Sequence, residues 1–582
     1  MTKKAATRTR LSTWQQQAVA DLRAIAGEHP DAIQVITVTP AVTDINAFVT
    51  IRLPTRDLPA GPGGLRFRDH EDFIVGIGQS RLVPPQVDVD HQRFAGHPHV
   101  LQGHRLCIYL DPAREWDPLR GMTGFLERLW GWLGDAAAGR FDAATAMYHA
   151  VGGVLHLTPG TPTIVIREQV PARPFQRAHL ISRSAHRLDM TFTTAPPPAL
   201  VMPVLTLSSG LPLGAGVTLT QLLQLIDHAG CGAPAGHIGL GPTPARAMLT
   251  SLAASAARNP DGTHQYFALA VPHPAGGPVH LLVGRLPAAA SDQMRQLAKA
   301  RTPTLNPDPA QLSEGIPIEW CRVSDERPDV TNRRDAQRPV SALLGKSVLI
   351  WGCGGIGSWA AEFITRAGTA KISLCDDAIV TGGLLVRQDY AEADIGDHKA
   401  HALATRLQAI SDHVDVSTVT GASLSDLEDL ITCADVIVDA TVSIAVGQAL
   451  AAVAATRQPH AMLAQLATDT STGTLGILTI SAPSDPSGPA VIDARTGRRV
   501  LADTALELYH SLWQEPLDGH ELTPTRGCSV PTFHGSAADL AAVAACLVNL
   551  LALHLNAPES GTHLIALPHS PGSGPYHHFI AA

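Results

Sequence analysis

The amino-acid sequence predicts a multidomain α/β protein, and three regional patterns support this fold class. The chain has 582 residues, enough for three or four domains of about 150 residues each. Residues 1–155 predict an N-terminal α+β domain, and 175–335 alternate short strands and helices as in a central α/β linker domain. Residues 340–582 begin with strands and helices in strict alternation, which is typical of a parallel sheet with right-handed crossovers.

The composition indicates folded domains and argues against two classes of function. Apolar residues make up 45% of the chain, and its 50 glycines and 44 prolines are dispersed rather than gathered into one tract. The formal net charge is −9, so we expect no nucleic-acid partner, because phosphate binding needs clustered Lys and Arg. No stretch reaches about 18 uninterrupted apolar residues, and the N-terminus has no apolar signal core. We therefore expect a cytoplasmic protein that does not enter a membrane.

The N-terminal region predicts a helix followed by a small sheet. Apolar residues recur at helical spacing over residues 12–27, and β-branched residues dominate 33–39 and 47–53, which are bounded by turn residues. We expect a third strand at 72–77 and a further helix at 123–133. These elements make an α+β domain.

A glycine-rich turn opens the C-terminal domain after an apolar strand, and a helix is expected from Ser358 to about Ala367. The glycines of the turn are Gly352, Gly354, Gly355 and Gly357. Residues without a Cβ let the backbone turn sharply and let its amides approach a phosphate, while the helix N-terminus adds partial positive charge. Asp376 lies 19 residues after Gly357 at the end of the next strand, where a carboxylate can accept hydrogen bonds from ribose hydroxyls. By themselves, these residues are also compatible with a dinucleotide-dependent oxidoreductase.

Further motifs extend the pattern with Arg387-Gln388 and then Gly396-x-x-Lys399. Together with the glycine turn and Asp376, residues 340–445 resemble the adenylation domains of ubiquitin-activating enzymes and their bacterial ThiF/MoeB relatives. The resemblance implies a Rossmann-like domain that binds ATP and Mg²⁺, with Asp376 on the ribose and Gln388 in the nucleotide site. It also implies that Arg387 and Lys399 hold the phosphates, where two cations oppose the charge that develops as pyrophosphate leaves.

The sequence departs from this family at three positions. Ala378 replaces a second Asp, Leu384 replaces an Asn, and Val442 replaces the usual magnesium-binding Asp. Magnesium would then be held by Asp439, by Asp377, or by water on the phosphates. The family also works as dimers that lend an arginine across the interface, so we expect a homodimer. Three arginines are open for that role: Arg333, Arg334 and Arg338.

A cysteine follows the adenylation-like region. The eight cysteines include no Cys-x-x-Cys pair, so we expect no structural zinc on that spacing. Cys528 precedes a turn and a long apolar helix expected at 537–555, where a cation or helix N-terminus would favour its thiolate. In activating enzymes that form thioesters a cysteine follows the adenylation core, which implies Cys528. Cys375 and Cys433 are expected to be buried.

The N-terminal region also contains His97-Pro98-His99, then Cys107, then Trp116-x-Pro118. It resembles ubiquitin-conjugating enzymes, whose signature is His-Pro-Asn, an active cysteine eight residues later, and Trp-x-Pro. The resemblance implies that Cys107 carries a thioester. His99 stands in place of the Asn, so it would donate a hydrogen bond to an acyl oxyanion, act as a base on the incoming amine, or only pack the loop.

Together, the two regions resemble the fused enzymes of bacterial antiphage operons of the CBASS type. The resemblance implies adenylation of a partner's C-terminal carboxylate, thioester formation on Cys528, transfer to Cys107, and conjugation to an amine, expected to be a lysine. The implied partner is a cGAS-like nucleotidyltransferase or a ubiquitin-like protein. Two alternatives stay open: a ThiF/MoeB-like adenylating enzyme for a sulfur carrier or peptide, and a nucleotide-binding scaffold without turnover.

Overall fold

The computed structural model divides into two compact units, Met1–Arg333 and Arg334–Ala582. The residues it describes are 11–40, 46–91, 93–94, 97–101, 104–109, 111–141, 158–208, 218–228, 243–272, 278–299, 315–327, 330, 338–419, 431–441, 443–455, 461–514, 522–524, 529–531, 535–568 and 574–582.

The first unit begins with an antiparallel sheet of order β1-β2-β3-β4-β6-β5. Its strands are β1 (Gln34–Pro40), β2 (Ala47–Pro54), β3 (His70–Ile77), β4 (Gln86–Asp88), β5 (Val100–Leu101) and β6 (Arg105–Leu106). The helices are α1 (Thr13–Glu28), α2 (Pro112–Glu115) and α3 (Gly121–Ala138). Ser12 and Gln15 form a capping box that starts α1. The sheet and α1 and α3 enclose one core, which includes Leu22, Phe73 and Phe125.

The same unit contains a second, mixed sheet of order β13-β12-β11-β10-β8-β9-β7-β14. Its strands are β7 (Thr163–Ile166), β8 (Phe175–Ser184), β9 (Arg187–Thr191), β10 (Leu200–Thr206), β11 (Gln265–Val271), β12 (His280–Leu286), β13 (Glu319–Cys321) and β14 (Val323–Asp325). The helices are α4 (Leu219–His228), α5 (Pro244–Ala256) and α6 (Ala288–Lys299). Their apolar sides share a core with one sheet face, which contributes Leu205, Phe267 and Trp320.

The second unit is built on a sheet of order β17-β16-β15-β18-β19-β20-β23-β24. Its strands are β15 (Ser347–Trp351), β16 (Lys371–Cys375), β17 (Asp415–Val419), β18 (Val436–Asp439), β19 (Met462–Thr468), β20 (Leu475–Ser481), β23 (Gly561–Ala566) and β24 (Tyr576–Ala581), and β21 (Leu522–Pro524) pairs with β22 (Ser529–Pro531) in a separate ribbon. The helices are α7 (Gly355–Arg366), α8 (Lys399–Ile410), α9 (Ile444–Ala455), α10 (Pro489–Leu501) and α11 (Ala537–Asn556). Short 3₁₀ turns lie at Pro339–Leu343, Gly382–Leu384, Glu392–Asp394 and Thr504–Leu512.

The strands β17, β16, β15, β18 and β19 are parallel, with β15 in the middle. Chain order therefore runs outward from β15 in both directions, as in a Rossmann-like sheet. Strands β19, β20, β23 and β24 continue the sheet in antiparallel fashion. The predicted fold class, a multidomain α/β chain with a Rossmann-like C-terminal domain, is confirmed.

Two local predictions need correction. Helix α7 begins at Gly355, three residues before the expected Ser358, because Gly354 serves as its N-cap and two glycines of the turn lie in its first turn. Cys433 is exposed rather than buried, since it lies just before β18 and not within it. Cys375, the last residue of β16, is buried as expected.

Helix α11 is long and apolar enough to cross a membrane by length and composition alone, and no other described helix is. Its residues Leu540, Leu547 and Leu551 are buried in the core of the second unit. Packing against α7 and the sheet explains why a core helix has this composition.

Candidate functional site

The glycine turn after β15 has a backbone that side chains would disrupt. Gly352 has a φ of +92°, and a Cβ there would lie 2.8 Å from Thr441 Cγ2. A Cβ on Gly357 would lie 1.9 Å from the Gly352 carbonyl oxygen. Only glycine is compatible with these two positions. The turn therefore places backbone without side chains, and the N-terminus of α7, at the carboxyl end of β15, the usual place for a ligand in an open α/β sheet.

Asp376 lies beside this turn at the end of β16. Its Oδ2 accepts a hydrogen bond from the Cys353 N–H at 2.7 Å, and its Oδ1 accepts one from the Ala378 N–H at 2.8 Å. Asp376 also lines a cavity of about 250 Å³ together with Gly352 and Thr441. The carboxylate is thus held in place by backbone donors while it faces open space, as a ribose-binding group would be.

A second cavity, of about 260 Å³, lies on the other side of the glycine turn. Gly355, Arg387 and Gln388 contribute polar groups to it, and Leu466 and Leu540 form part of its apolar wall. Thr441 lines both cavities, so the two spaces meet at the turn after β18. The arrangement can hold a ligand with a sugar on one side of the turn and a charged group near Arg387 on the other.

A hydrogen-bond network ties the Arg387 segment to the glycine turn. The Ser358 hydroxyl donates to the Gly354 carbonyl at 2.7 Å and accepts from the Asp389 N–H at 3.1 Å. The indole N–H of Trp359 donates to the Arg387 carbonyl at 3.1 Å. These bonds fix where the Arg387 backbone lies relative to α7.

Behind this network, the buried Asp389 is paired with Arg406 at 2.7 Å, and Arg406 also binds Glu362 at 2.9 Å. Burial, together with the nearby Glu362, raises the pKa of Asp389 to about 7 although Arg406 opposes the shift. This cluster belongs to none of the sequence motifs. One feature of the sequence points to Arg406: it lies seven residues after Lys399 and therefore on the same side of the helix.

Lys399 is the first residue of α8 and is buried, at 8% exposure. Its N–H donates to the Ala378 carbonyl at 2.9 Å. Burial and Asp376 raise the pKa of Cys353, whereas the positive charge of Lys399 lowers it, so this charge lies close to the glycine turn. Within the described part of the chain, Lys399 has no ion-pair partner.

Asp439 ends β18 and is almost fully buried, at 1% exposure. Its Oδ1 accepts from the Thr441 N–H at 2.8 Å and from the Thr441 hydroxyl at 2.6 Å. Its Oδ2 is buried and has no hydrogen-bond partner among the described residues, and burial raises its pKa. An orphaned carboxylate oxygen fits a hard cation. The described residues form no group of three or more metal-ligating side chains, so protein ligands beyond Asp439 are few.

In the first unit, Cys107 follows β6 and is half-buried. Its N–H donates to the His99 carbonyl at 2.8 Å, and its Sγ–H donates to the Tyr109 carbonyl at 3.4 Å. Burial raises the pKa of the Cys107 thiol, Glu115 raises it further, and Arg128 opposes both. The thiol is therefore held mainly in its protonated form at neutral pH.

His99 has a φ of +62°, in the left-handed region that His, Asn and Asp tolerate best among non-glycine residues. Its side chain is buried, at 2% exposure, and its ring packs on Phe141 at 4.7 Å between centroids. Burial lowers its pKa, and His97 and Arg128 lower it further, which favours a neutral ring. The structure thus brings the His-Pro-His turn next to Cys107 through backbone pairing, with His99 packed in the loop.

Other predicted site residues lie outside the described residues. They are Cys528, Val442, Arg333 and Arg334. Arg338, the third arginine considered for a dimer interface, is exposed. Asp377, the other acidic residue considered for magnesium, is exposed and lines the same cavity as Asp376.

Comparison with protein families assigns three regions of the chain. Residues 334–558 match the ThiF family, 197–326 match the Cap2 central linker domain, and 17–151 match the prokaryotic E2 family A. The chain therefore contains a ThiF-family, adenylyltransferase-like domain and an E2-like domain. The three domains in one polypeptide match a fused E2/E1-like bacterial enzyme of the Cap2 type, which confirms the resemblance inferred from the motifs.

Individual relatives are similar over part of the chain. The uncharacterized protein y4oA of Sinorhizobium fredii is 28% identical over 217 residues, 34% of this chain and 34% of its own. The molybdopterin-synthase adenylyltransferase of Escherichia coli is 33% identical over 108 residues, 18% of this chain and 43% of its own. Among solved structures, E. coli MccB with ATP has a TM-score of 0.28 and 17% identity, covering 42% of this chain and 66% of that one. The chain thus spans less than half the length of these curated relatives.

Proposed function

We propose that this protein activates the C-terminal carboxylate of a partner protein with ATP, captures it as a thioester on Cys528, transfers it to Cys107 and conjugates it to an amine. One observation carries this proposal. The chain combines two features. One is a nucleotide-type site with Asp376 and Arg387 on either side of the glycine turn. The other is an E2-like domain in which the backbone N–H of Cys107 donates a hydrogen bond to the His-Pro-His turn. An acyl-activating site and a second acceptor thiol in one polypeptide raise the effective concentration of that thiol.

The chemistry proceeds in four steps. The partner's carboxylate attacks the α-phosphorus of ATP, and pyrophosphate leaves to give an acyl-adenylate. The Cys528 thiolate then attacks the acyl carbon and AMP leaves, after which Cys107 takes the acyl group by exchange and releases the Cys528 thiol. A lysine amine finally attacks the Cys107 thioester, forms the amide and frees the thiol. No further ATP is needed, because the thioester keeps the carboxylate activated.

Roles in the first step follow from the positions of the side chains. Asp376 binds the ribose, while Arg387 and Lys399 oppose the charge of the phosphates. The Gly352–Gly357 backbone and the N-terminus of α7 offer amide donors, and Gln388 contributes polar contacts in the same cavity. A bound Mg²⁺ would supply phosphate charge neutralisation, and Asp439 Oδ2 would hold it together with phosphate oxygens and water.

The remaining parts of the proposal concern partners and setting. The activated partner is a protein with a free C-terminus, either a cGAS-like nucleotidyltransferase or a ubiquitin-like protein. The enzyme works in the cytoplasm as a homodimer and takes part in antiphage defence of the CBASS type. The family matches to ThiF, Cap2 linker and prokaryotic E2 domains support this setting by association.

Exchange and trapping experiments test the steps separately. The protein should catalyse pyrophosphate–ATP exchange only with the right partner, and a non-reducing gel should reveal a reductant-sensitive adduct. In Cys107→Ala the adduct should remain on Cys528, and in Cys528→Ala no adduct should form. Cys433→Ala is the matched control, because this cysteine is exposed and belongs to neither motif, so its loss should leave the adduct unchanged.

The alternative is an adenylating enzyme for a sulfur carrier or peptide, which the similarity to a molybdopterin-synthase adenylyltransferase favours. In that case Cys528→Ala would abolish turnover and Cys107→Ala would not. A scaffold that binds nucleotide without turnover would give no pyrophosphate exchange with any partner. An NAD-linked oxidoreductase would bind NAD, whereas the proposed enzyme binds ATP.

A further inference from the structure

The central domain contains a cavity of about 210 Å³ between β8, β10 and α5. Two arginines and two serines contribute its polar groups: Arg177, Arg258, Ser251 and Ser255. Phe175 and Pro203 form apolar parts of its wall. None of these residues belongs to the two sites described above.

Secondary structure fixes the backbone positions of both arginines, whose side chains are exposed. Arg177 lies on β8, directly opposite Pro203 of β10 in the antiparallel register. Arg258 follows α5, where its N–H donates to the Ser255 carbonyl at 3.0 Å and its Nη1 donates to the Ala254 carbonyl at 2.8 Å.

The next residue, Asn259, anchors this segment to the sheet. It is buried, its Oδ1 accepts from the Val201 N–H at 2.7 Å, and its Nδ2 donates to the Val201 carbonyl at 2.9 Å. A buried side chain with both of these bonds holds the end of α5 against β10. The cavity wall that carries Arg258 is therefore a rigid part of the domain.

The two arginines differ from most others in the first unit. Arg285 pairs with Glu319 at 2.6 Å, and Arg105 pairs with Asp88 at 2.8 Å. Arg177 and Arg258 have no ion-pair partner among the residues that the structure describes. Burial and the charge of Arg258 also lower the pKa of Arg177, which indicates that the two cations repel each other. A bound anion would relieve this repulsion.

We propose that this cavity binds an oxyanion, a carboxylate or phosphate group, between the guanidinium groups of Arg177 and Arg258. Guanidinium groups match the geometry of such oxyanions, and the hydroxyls of Ser251 and Ser255 are additional donors. The ligand is either a small free anion or the acidic side chain of a protein segment, because both carry the same group. Its apolar part would contact Phe175 and Pro203. The site gives the central domain a ligand-binding role that does not depend on the proposed thioester relay.

Isothermal titration calorimetry on the full-length protein at low salt tests this site, with inorganic phosphate and an acetylated tetra-glutamate peptide as the two probes. At least one probe should bind with a dissociation constant below about 1 mM. Arg177→Gln and Arg258→Gln should each weaken binding about tenfold, since each removes a charge-assisted contact. Arg173→Gln is the matched control, because it removes one exposed positive charge outside the cavity.

Each outcome decides the question. Binding of phosphate alone identifies a small free anion, and binding of the peptide alone identifies an acidic protein segment. Arg177→Lys and Arg258→Lys keep the charge, so intermediate losses in these variants support paired guanidinium recognition even if a glutamine variant fails to fold. Absence of binding by both probes, or an equal loss in Arg173→Gln, overturns the proposal.

Discussion

Replacing Gly357 by alanine should disrupt the nucleotide site through one steric contact. The new Cβ would lie 1.9 Å from the Gly352 carbonyl oxygen, far inside van der Waals contact. The Gly352 oxygen is a backbone atom and the new Cβ is bonded directly to the α7 backbone, so neither can rotate away and the turn itself must open. Overpacking of this kind costs about 2–3 kcal/mol, which in a unit of this size lowers the melting temperature by about 5–10 °C.

Alanine substitutions at two other glycines distinguish this steric effect from a loss of contact with phosphate. A Cβ on Gly383 would meet nothing within 4 Å, so Gly383→Ala should leave both stability and ATP binding unchanged. Gly354 also has nothing within 4 Å of an added Cβ. Gly354→Ala should therefore keep the melting temperature but weaken ATP binding if phosphate packs against the turn.

Differential scanning calorimetry and ATP titration measure these quantities on the same samples. The expected order of melting temperatures is Gly357→Ala well below Gly354→Ala, with Gly383→Ala equal to the wild type. A Gly357→Ala protein with unchanged melting temperature and ATP affinity would refute the steric reasoning. Unchanged ATP affinity in Gly354→Ala would argue against close approach of phosphate at that position.

Three further variants test the ribose contact, the acceptor thiol and a buried histidine, His563. Asp376→Ala should weaken ATP binding about 10- to 100-fold in calorimetric titrations, because it removes a charge-assisted hydrogen bond; unchanged affinity would exclude the ribose role. Since the pKa of Cys107 is raised, single-turnover transfer to it should accelerate about tenfold per pH unit near neutrality. Glu115→Gln should shift that profile to lower pH, because Glu115 raises this pKa, and an unshifted profile would contradict the assignment. His563 donates or accepts hydrogen bonds with His554 at 2.7 Å and with His577 at 2.8 Å, and burial followed by these neighbours lowers its pKa to about 3. Below about pH 6.5 the unfolded state then binds more protons than the folded state. The free energy of unfolding, measured with urea, should therefore fall by about 2 kcal/mol between pH 6.5 and 5. In the His563→Gln variant it should fall much less over this range.

The sequence was sufficient to predict the alternation of strands and helices around the glycine turn, because those signals are local. An apolar strand, a glycine turn and a helix follow one another within residues 347–366, and their parallel arrangement follows from chirality rules. The start of α7 was less predictable. Glycine has poor helix propensity, and the packing of Gly357 against Gly352, which permits the earlier start, depends on the folded turn.

Features that depend on long-range packing were not predictable. The pairing of Asp389 with Arg406 and Glu362 joins three elements, and only the fold brings these residues together. Arg177 and Arg258 are far apart in the sequence and come to line one cavity through the packing of α5 on β10. Local patterns contain no information on such contacts.

In the proposed relay, cleavage of ATP drives one acyl group onto Cys528 and from there to Cys107. Peptide mass spectrometry of the protein, quenched at acidic pH during turnover with ATP and partner, tests it most directly. We expect an acyl mass on both cysteines in the wild type, on Cys528 alone in the Cys107→Ala variant, and on neither without ATP. Turnover with no acyl mass on either cysteine would contradict it.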